Sequence, residues 1–160
     1  MEQDTQYMKR CLDLARQSYA GGDLPFGSII VDENFNIVSE AMNTGLRDIT
    51  GHAEINAIKQ LIEKAGDKDF FQYTIYTNFE PCAMCSFIIR DIGIGRVVYG
   101  AKSPFLGGDS RWDILTDTKI RPEFTSRLNA QPPNITRGVL EDEANKMFDD
   151  LNWEMHKDHI

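Results

Sequence analysis

The chain contains little cysteine, and the number is odd. Cys11, Cys82 and Cys85 are the only three among 160 residues, too few for the disulfide framework of a small secreted protein. In a reducing compartment, two closely spaced cysteines are more often metal ligands or a redox pair than a structural disulfide. We therefore expect reduced thiols and a cytoplasmic protein.

Long hydrophobic runs and repeats are also missing. No apolar run reaches the roughly 20 residues of a membrane-spanning helix, and the polar start Met1–Asp4 does not resemble a signal peptide. No internal repeat, low-complexity tract or obvious linker divides the sequence. At 160 residues and 18.2 kDa the chain can bury a core without disulfides. We predict one domain over residues 1–160, with no membrane partner.

Positive charge is scarce. The sequence has 17 Lys and Arg against 25 Asp and Glu, a formal net charge of −8, and a pI of about 4.8. Such a balance keeps a protein soluble and works against binding to a polyanion. It disfavours a nucleic acid as partner but leaves room for a local basic patch.

Hydrophobic periodicity divides the chain into alternating helices and strands. Apolar residues at three- and four-residue steps predict helices, and short β-rich runs bounded by turn residues predict strands. The predicted helices are 5–19, Ala53–Glu63, Cys82–Asp91 and Glu141–Leu151, and the predicted strands are Ser28–Val31, Asn36–Glu40, Tyr73–Thr77, Arg96–Gly100 and Asn134–Leu140. Residues 102–133 are predicted to be mostly loop, with a helical turn at Trp112–Thr116. This alternation predicts an α/β fold, a three-layer α/β/α sandwich with a central mixed five-stranded sheet.

A split motif joins His52-Ala53-Glu54 to Pro81-Cys82-Ala83-Met84-Cys85 across 26 residues. One imidazole and two thiolates can hold zinc on three sides and leave a fourth position for water. Both halves are predicted at helix starts, where the helix dipole and backbone N–H groups favour thiolates. Such a site supplies hydroxide at neutral pH, which can attack a ring carbon that bears an amino group. Glu54 is predicted to accept the water proton and to protonate a ring nitrogen and then the leaving ammonia.

Two other interpretations of the cysteines stay open at this point. A lone C-x-x-C beside a βαβ pattern is often a redox pair, and a structural zinc site would need a fourth protein ligand. Cys11 lies on the apolar face of the first helix and is assigned to the core. His156 and His159 lie in a polar segment that is expected to be solvated. The composite motif therefore favours a catalytic zinc site over both.

The pattern H-x-E…P-C-x-x-C is typical of zinc-dependent nucleobase deaminases, and the chain resembles the cytidine deaminase superfamily. Within it, the chain is similar to the branch of bacterial guanine deaminases, fungal cytosine deaminase and tRNA adenosine deaminases. The similarity is clearest up to Ala101: Leu24-Pro25-Phe26-Gly27 resembles a turn of this branch, and Arg96–Ala101 resembles the strand after the zinc helix. The resemblance implies a cytidine deaminase-like fold with sheet order 2-1-3-4-5, a Zn²⁺ cofactor, and active sites near a homodimer interface.

Two substrate-binding candidates lie before the zinc motif. Asn43 matches the position of a substrate-binding asparagine in this branch, and its amide offers both a donor and an acceptor to a base edge. The alternative is that Asn43 ends a strand in a turn before Gly45. Phe26 is expected either to stack on a flat heterocycle or to fill the core behind the zinc site.

Two further candidates lie in the segment after Ala101. Trp112 is interpreted as a lid residue, with anchorage of the loop in the core as the alternative. Asp113, or else Asp109, is expected to accept a hydrogen bond from a guanine-type N–H edge. This segment departs from the pattern of guanine deaminases, so guanine itself is not favoured by the resemblance.

The sequence is compatible with three functions: deamination of a free base or nucleoside, deamination of adenosine in tRNA, and a non-catalytic zinc-stabilised module. Glu54 argues against the module, because structural zinc does not need a proton-transferring carboxylate. The layout after Ala101 resembles tRNA deaminases, but residues 141–160 hold seven acidic residues and two lysines. We predict a zinc-dependent hydrolytic deaminase of a small nucleobase or nucleoside, purine favoured, with a tRNA-specific adenosine deaminase as the alternative.

Overall fold

A computed structural model describes residues 2–66, 69–120 and 131–153. In this structure the helices and strands alternate as the sequence predicts. The helices are α1 (Glu2–Ala20), α2 (Ala53–Ala65), α3 (Ala83–Ile92) and α4 (Glu141–Asp150). The strands are β1 (Gly27–Val31), β2 (Ile37–Met42), β3 (Thr74–Phe79), β4 (Arg96–Ala101) and β5 (Asn134–Thr136). Within the described ranges, no helix is long and apolar enough to cross a membrane.

The strands form one sheet in the order β2-β1-β3-β4-β5, which confirms the predicted order. β1 and β2 form an antiparallel hairpin, and β1 is also antiparallel to β3. β3 and β4 run parallel, as do β4 and β5. The sheet is therefore mixed and five-stranded, as predicted.

Alternate residues of the strands face opposite sides of the sheet. Ile30 and Val97 belong to a core cluster with buried residues of α2 and α3. Ile29 and Val98, one position along, belong to a cluster with α1. A third cluster joins α1 to α4. Helices thus cover both faces, which confirms the three-layer sandwich.

The last strand is shorter than predicted. It ends at Thr136, whereas the sequence pattern continued to Leu140. Gly138 and Leu140 both have positive φ values, +71° and 55°, so the backbone leaves the extended conformation there and turns into α4. The apolar residues of this turn join the core without pairing in the sheet.

The segment after β4 is a loop, as predicted. The predicted helical turn at Trp112–Thr116 is a hydrogen-bonded turn, in which Thr116 N–H donates to the Asp113 carbonyl at 3.2 Å. Leu115 in this turn is buried in the cluster of α2 and α3. The part of the predicted loop at 121–130 lies outside the described residues.

Three segments meet at one edge of the sheet. Because β3 and β4 are parallel, the segments that follow them emerge at the same edge. The 43–52 loop comes alongside, where Asn56 Nδ2 donates to the carbonyls of Met42 at 3.0 Å and Gly51 at 3.2 Å. The starts of α2 and α3 are thereby brought together.

Candidate active site

The predicted zinc ligands lie at the starts of two helices. His52 immediately precedes α2 and Cys82 immediately precedes α3, both with extended backbone, and Cys85 lies in the first turn of α3. His52 Nδ1 is 3.5 Å from Cys82 Sγ and 3.4 Å from Cys85 Sγ. The two sulfurs are 3.6 Å apart. The structure therefore brings together all three residues.

A zinc ion fits this donor set. Zinc–sulfur bonds of about 2.3 Å and zinc–nitrogen bonds of about 2.0–2.1 Å at tetrahedral angles place the ligand atoms about 3.5–3.8 Å apart, close to the 3.4–3.6 Å observed. Of the described residues, His52, Cys82 and Cys85 form the one group of this kind. Cys11 lies on the buried face of α1 and belongs to the core, as predicted. Three protein ligands favour a catalytic site over a closed structural one.

The site favours a thiolate, the form in which cysteine binds metal. The contact between the sulfurs of Cys82 and Cys85, with hydrogen bonds from His52 and the Cys85 backbone N–H, holds the pKa of Cys82 well below its usual value. The same contact and burial raise the pKa of Cys85. The hydrogen bond to Cys82 raises the pKa of His52.

Glu54 lies in the first turn of α2 with its side chain at the site. The residue is 6% exposed, with Oε2 3.6 Å from Cys85 Sγ and Oε1 3.4 Å from the Thr77 hydroxyl. Burial, and after it the charge of Cys82, raises the pKa of Glu54 to about 7. A carboxyl group in that range can both accept and give a proton near neutral pH.

A cavity of about 180 Å³ opens beside these residues. Its walls are mostly apolar and aromatic, and His52, Glu54 and Cys82 contribute polar atoms. The other residues that line it are Leu24, Phe26, Phe79, Glu80, Ser103, Phe105, Leu106 and Trp153. Apolar walls with a few placed polar groups are typical of small-molecule sites.

Trp153, just after α4, closes one side of the cavity against an aromatic group. Its ring centroid is 5.1 Å from that of Phe26, 5.5 Å from that of Phe79 and 4.8 Å from that of Phe148. Phe26 and Phe79 are themselves 5.5 Å apart. The chain after α4 therefore contributes directly to the cavity wall.

The predicted substrate-binding residues do not all line the cavity. Phe26 lines the cavity and packs in the aromatic group, and its stacking on a heterocycle stays a prediction. Asn43 is buried just behind the wall, where its backbone N–H donates to the Phe26 carbonyl at 3.1 Å. Its Nδ2 donates to Asp23 Oδ1 at 2.6 Å. Its role as a substrate contact stays a prediction.

Trp112 and Asp113 are not among the described residues that line the cavity. Trp112 is 53% exposed, so it does not anchor the loop in the core, and Arg111 stacks over its ring at 5.3 Å. Asp109 binds Tyr99 and Arg137 instead of facing the cavity. In this arrangement, substrate contact by Trp112 or Asp113 stays a prediction that would need the loop to move.

Sequence reasoning did not name seven residues of the cavity wall as site residues. Glu80 follows the apolar β3 directly, and a carboxylate between a buried strand and Pro81 was the available signal. Trp153 carried none, because it falls beyond the periodic residues of α4. The others are Leu24, Phe79, Ser103, Phe105 and Leu106. His156 and His159, predicted to be solvated, lie outside the described residues.

Comparison with known proteins gives a consistent set of relatives. The model of the cytidine and deoxycytidylate deaminase zinc-binding region matches residues 1–101. A tRNA-specific adenosine deaminase of Haemophilus influenzae is 31% identical over 148 residues, which are 91% of this chain and 80% of that protein. A probable cytosine deaminase of Schizosaccharomyces pombe is 42% identical over 100 residues, 62% of this chain and 60% of that protein.

Solved structures share the fold. One, from biochemical and structural studies of A-to-I editing by tRNA:A34 deaminases, superposes with a TM-score of 0.78 at 26% identity, covering 89% of this chain and 99% of that one. A guanine deaminase from Nitrosomonas europaea gives a TM-score of 0.71 at 25% identity, covering 92% and 84%. These relatives are named for three different substrates, so similarity alone does not select one.

Proposed function

The chain belongs to the family of the cytidine and deoxycytidylate deaminase zinc-binding region, and from that premise we propose that this hydrolytic deaminase acts on a free nucleobase or nucleoside, purine favoured. The reaction replaces a ring amino group by an oxo group and releases ammonia. The observation that carries this proposal is the composition of the cavity wall.

The wall suits a small flat molecule. At about 180 Å³ the cavity is compact, and aromatic and aliphatic side chains form most of its lining. None of the described residues that line it is Lys or Arg. A site that holds RNA needs positive charge to neutralise the phosphates next to the bound base. A neutral heterocycle needs only stacking surface and a few hydrogen-bonding groups.

The protein's own residues divide the chemistry. His52, Cys82 and Cys85 would hold zinc, which when bound acts as a Lewis acid and makes water nucleophilic at neutral pH. Glu54 accepts one proton from the attacking water and delivers it to a ring nitrogen. It then transfers the proton of the newly added hydroxyl group to the amino group, which leaves as ammonia while the ring carbon gains its oxo group. Burial in the cavity wall gives Glu54 the pKa near neutrality that this exchange requires.

Substrate orientation falls to the groups around the cavity. Phe26 and Trp153 provide faces for stacking. Asn43 is proposed to hydrogen bond the base edge, with Asp23 holding its amide nitrogen and thereby fixing the direction of the amide. Trp112 and Asp113 would join these contacts only if the 102–120 segment folded inwards over a bound substrate.

An ammonia-release screen tests the proposal. Guanine, guanosine, cytosine, cytidine, adenine and adenosine are each incubated with the zinc-loaded protein and with the Glu54→Gln variant as a blank. We expect one purine base or nucleoside to release ammonia with the wild type alone. Absence of ammonia from all six would overturn the proposal of a free substrate from this set.

The alternative is deamination of adenosine in tRNA. It is favoured by the H. influenzae relative, which aligns with 91% of this chain, and by the TM-score of 0.78 to a tRNA:A34 deaminase study. Sequencing of anticodon-stem RNA after incubation with the protein measures inosine directly. Efficient inosine formation, with no ammonia from free bases or nucleosides, would establish the alternative.

We also propose a homodimer in the cytoplasm. Apolar side chains are exposed on segments that flank the ligands: Leu46, Ile49, Met84, Phe87, Phe105 and Leu106. Apolar side chains exposed in this way would be covered in a symmetric pair. Zinc binding by Cys82 and Cys85 requires reduced thiols, which a reducing compartment maintains. Sedimentation equilibrium gives the oligomeric state.

A further inference from the structure

Glu80 is a buried carboxylate with an unusual concentration of donors. It lies directly after β3, lines the cavity, and is 2% exposed. Its Oε1 accepts hydrogen bonds from the backbone N–H groups of Asp109 at 3.2 Å and Ser110 at 2.7 Å. Its Oε2 accepts from the backbone N–H of Ser103 at 2.9 Å and from the Ser110 hydroxyl at 2.9 Å.

These donors come from the two ends of one loop. The loop, residues 103–110, leaves β4 and returns past the start of α3. A single carboxylate therefore holds both ends of the loop. Hydrogen bonds to an ionised group are the stronger kind, and a buried charge that lost them would be costly.

The middle of the loop lies against the zinc helix. Ala83 N–H donates to the Leu106 carbonyl at 3.0 Å, and Gly108 N–H donates to the Pro81 carbonyl at 2.8 Å. These two bonds enclose Cys82, which forms a bridge with Gly107. The loop backbone is thus fixed to the segment that carries a predicted zinc ligand.

Glu80 and α3 leave no space for a side chain at two glycines of the 103–110 loop. A Cβ added to Gly107 would lie 2.2 Å from Glu80 Oε1, and one added to Gly108 would lie 2.0 Å from Ser86 Oγ. Real Cβ atoms do not approach other atoms that closely. Glycine at both positions lets the loop backbone reach the carboxylate and α3.

We propose that Glu80 is a positioning residue for the deamination. By holding the 103–110 loop against α3, it fixes Phe105 and Leu106, which form one wall of the substrate cavity. It acts through the loop, because its two oxygens are already engaged by four hydrogen bonds. The proposal rests on the family's reaction and holds whether the substrate is a base, a nucleoside or RNA.

Glu80→Gln is the direct test. The amide keeps the side chain's size but has one acceptor oxygen, so its NH₂ group must face N–H donors at one end of the loop. We expect the amides of residues 103, 109 and 110 to exchange hydrogen at least about tenfold faster than in the wild type. For the substrate found in the screen, we expect KM to rise about tenfold with kcat within about threefold, the pattern of weakened binding. Zinc content should stay unchanged.

Glu40→Gln is the matched control. It makes the same chemical change in β2, at a carboxylate that accepts hydrogen bonds from Arg10 at 2.8 and 2.6 Å and does not belong to the described cavity lining. Loss of this carboxylate should lower thermal stability without changing KM or the exchange of the Ser103 amide. Equal effects of the two variants on KM would mean that Glu80 has a general structural role and would overturn the proposal.

Gly107→Ala covers the case in which Glu80→Gln does not fold. The variant keeps the Glu80 carboxylate but displaces it from the loop. We expect the same amide exchange rates and KM to rise. Exchange rates within about twofold of wild type in a folded, zinc-loaded variant would also overturn the proposal. Hydrogen exchange needs no substrate, so this result is separate from the outcome of the ammonia screen.

Discussion

At the scale of single residues, Glu54 is the group whose chemistry can be separated from its structural role. Glu54→Gln keeps the side chain's size, so the fold and zinc content should persist. The amide cannot accept the water proton, and we expect nearly all turnover to be lost. Ammonia release and metal content are measured on the same sample.

The control for Glu54 lies on the same helix. Glu63 is exposed at the far end of α2, and Glu63→Gln makes the same chemical change without reaching the site. It should leave activity unaltered. If Glu54→Gln kept activity within about tenfold of wild type, equivalent to about 1.4 kcal/mol, the proton-transfer role would be untenable.

Asn43 gives a second residue-scale prediction. Its amide nitrogen is held by Asp23, and its amide oxygen is the atom left for the proposed contact with the base edge, so Asn43→Ala should remove that contact without disturbing the metal. Loss of a hydrogen-bond partner in a closed pocket costs about 1–3 kcal/mol, and kcat/KM should fall accordingly. Asn36→Ala, at an exposed turn asparagine, is the control. An unchanged kcat/KM in Asn43→Ala would leave Asn43 as a strand-end residue only.

The sequence predicted the residues whose chemistry depends on short spacing. His52 and Glu54, like Cys82 and Cys85, lie within one helical turn of each other, so local pattern and residue type suffice. Trp153 and Glu80 could not be predicted in the same way. Trp153 reaches the cavity through packing against Phe26, which is distant in sequence, and the donors to Glu80 come from a loop more than 20 residues later.

At the scale of elements, zinc is expected to connect two helices. His52 belongs to the start of α2 and the cysteines to the start of α3, so a bound ion ties them together and contributes to folding. We expect about one zinc per chain as purified, and a lower Tm after chelation. A loss of about 1 kcal/mol corresponds to about 2–4 °C in a chain of this size.

Metal analysis and thermal melts check this prediction together. Cys11→Ala, on the buried face of α1, should lower Tm but leave the zinc content at about one per chain. A disulfide between Cys82 and Cys85 in place of metal, or a site closed by a fourth protein ligand, would contradict the open catalytic centre.

A carboxylate near the start of α1 ties this helix to the sheet. Asp4 accepts hydrogen bonds from Arg96 at 2.9 and 3.1 Å and from the Tyr76 hydroxyl at 2.8 Å. Burial by itself would raise the pKa of Asp4, but these hydrogen bonds outweigh it, so its pKa lies below the usual 3.8. A carboxylate of this kind stabilises the fold above its unfolded pKa, and the effect is lost as pH falls through the folded pKa.

Asp4→Asn should therefore lower the free energy of unfolding at pH 7 by about 1–3 kcal/mol. The difference from wild type should shrink once the pH falls below about 4. Urea unfolding of both proteins at pH 7 and below about pH 4 measures this difference in the free energy of unfolding. Asp13→Asn, on the same helix but exposed and paired only with Arg16, should have little effect at either pH. A difference for Asp4→Asn that did not change with pH would contradict the ionic origin.

The predicted helices and strands agree with the structure wherever the hydrophobic periodicity is strong. The prediction fails after Thr136, where apolar residues reach the core without extending a strand. The helices were predicted because one apolar stripe recurs at helical steps. The residues after Thr136 are apolar enough to resemble a strand, yet Val139 and Leu140 fill the space under α1 and α4 from a turn. A hydrophobic pattern reports burial, and only the tertiary context decides whether the buried segment is a strand.

At the scale of the whole molecule, the net charge of −8 bears on the choice of substrate. The structure shows how some of the basic residues are used. Arg137 binds the buried Asp109 at 2.6 Å, Arg111 stacks over Trp112, and Lys146 pairs with Asp150 at 2.7 Å. Helix α4, which leads into Trp153 at the cavity, has three acidic residues in its first turn. This surface offers phosphates little attraction.

We therefore expect weak binding of anticodon-stem RNA with a shallow dependence on salt. Each phosphate neutralised by Lys or Arg adds about 0.7–0.9 to the slope of log K against log salt concentration, so a cavity whose described lining residues include no Lys or Arg should give a slope near zero. Fluorescence anisotropy of labelled RNA across a salt series measures the slope, with Arg111→Ala and Lys102→Ala as variants that should not change it. A steep slope reduced by either variant would show that these residues contact phosphates. The charge argument would then fail, and the tRNA alternative would become the better account of this cavity.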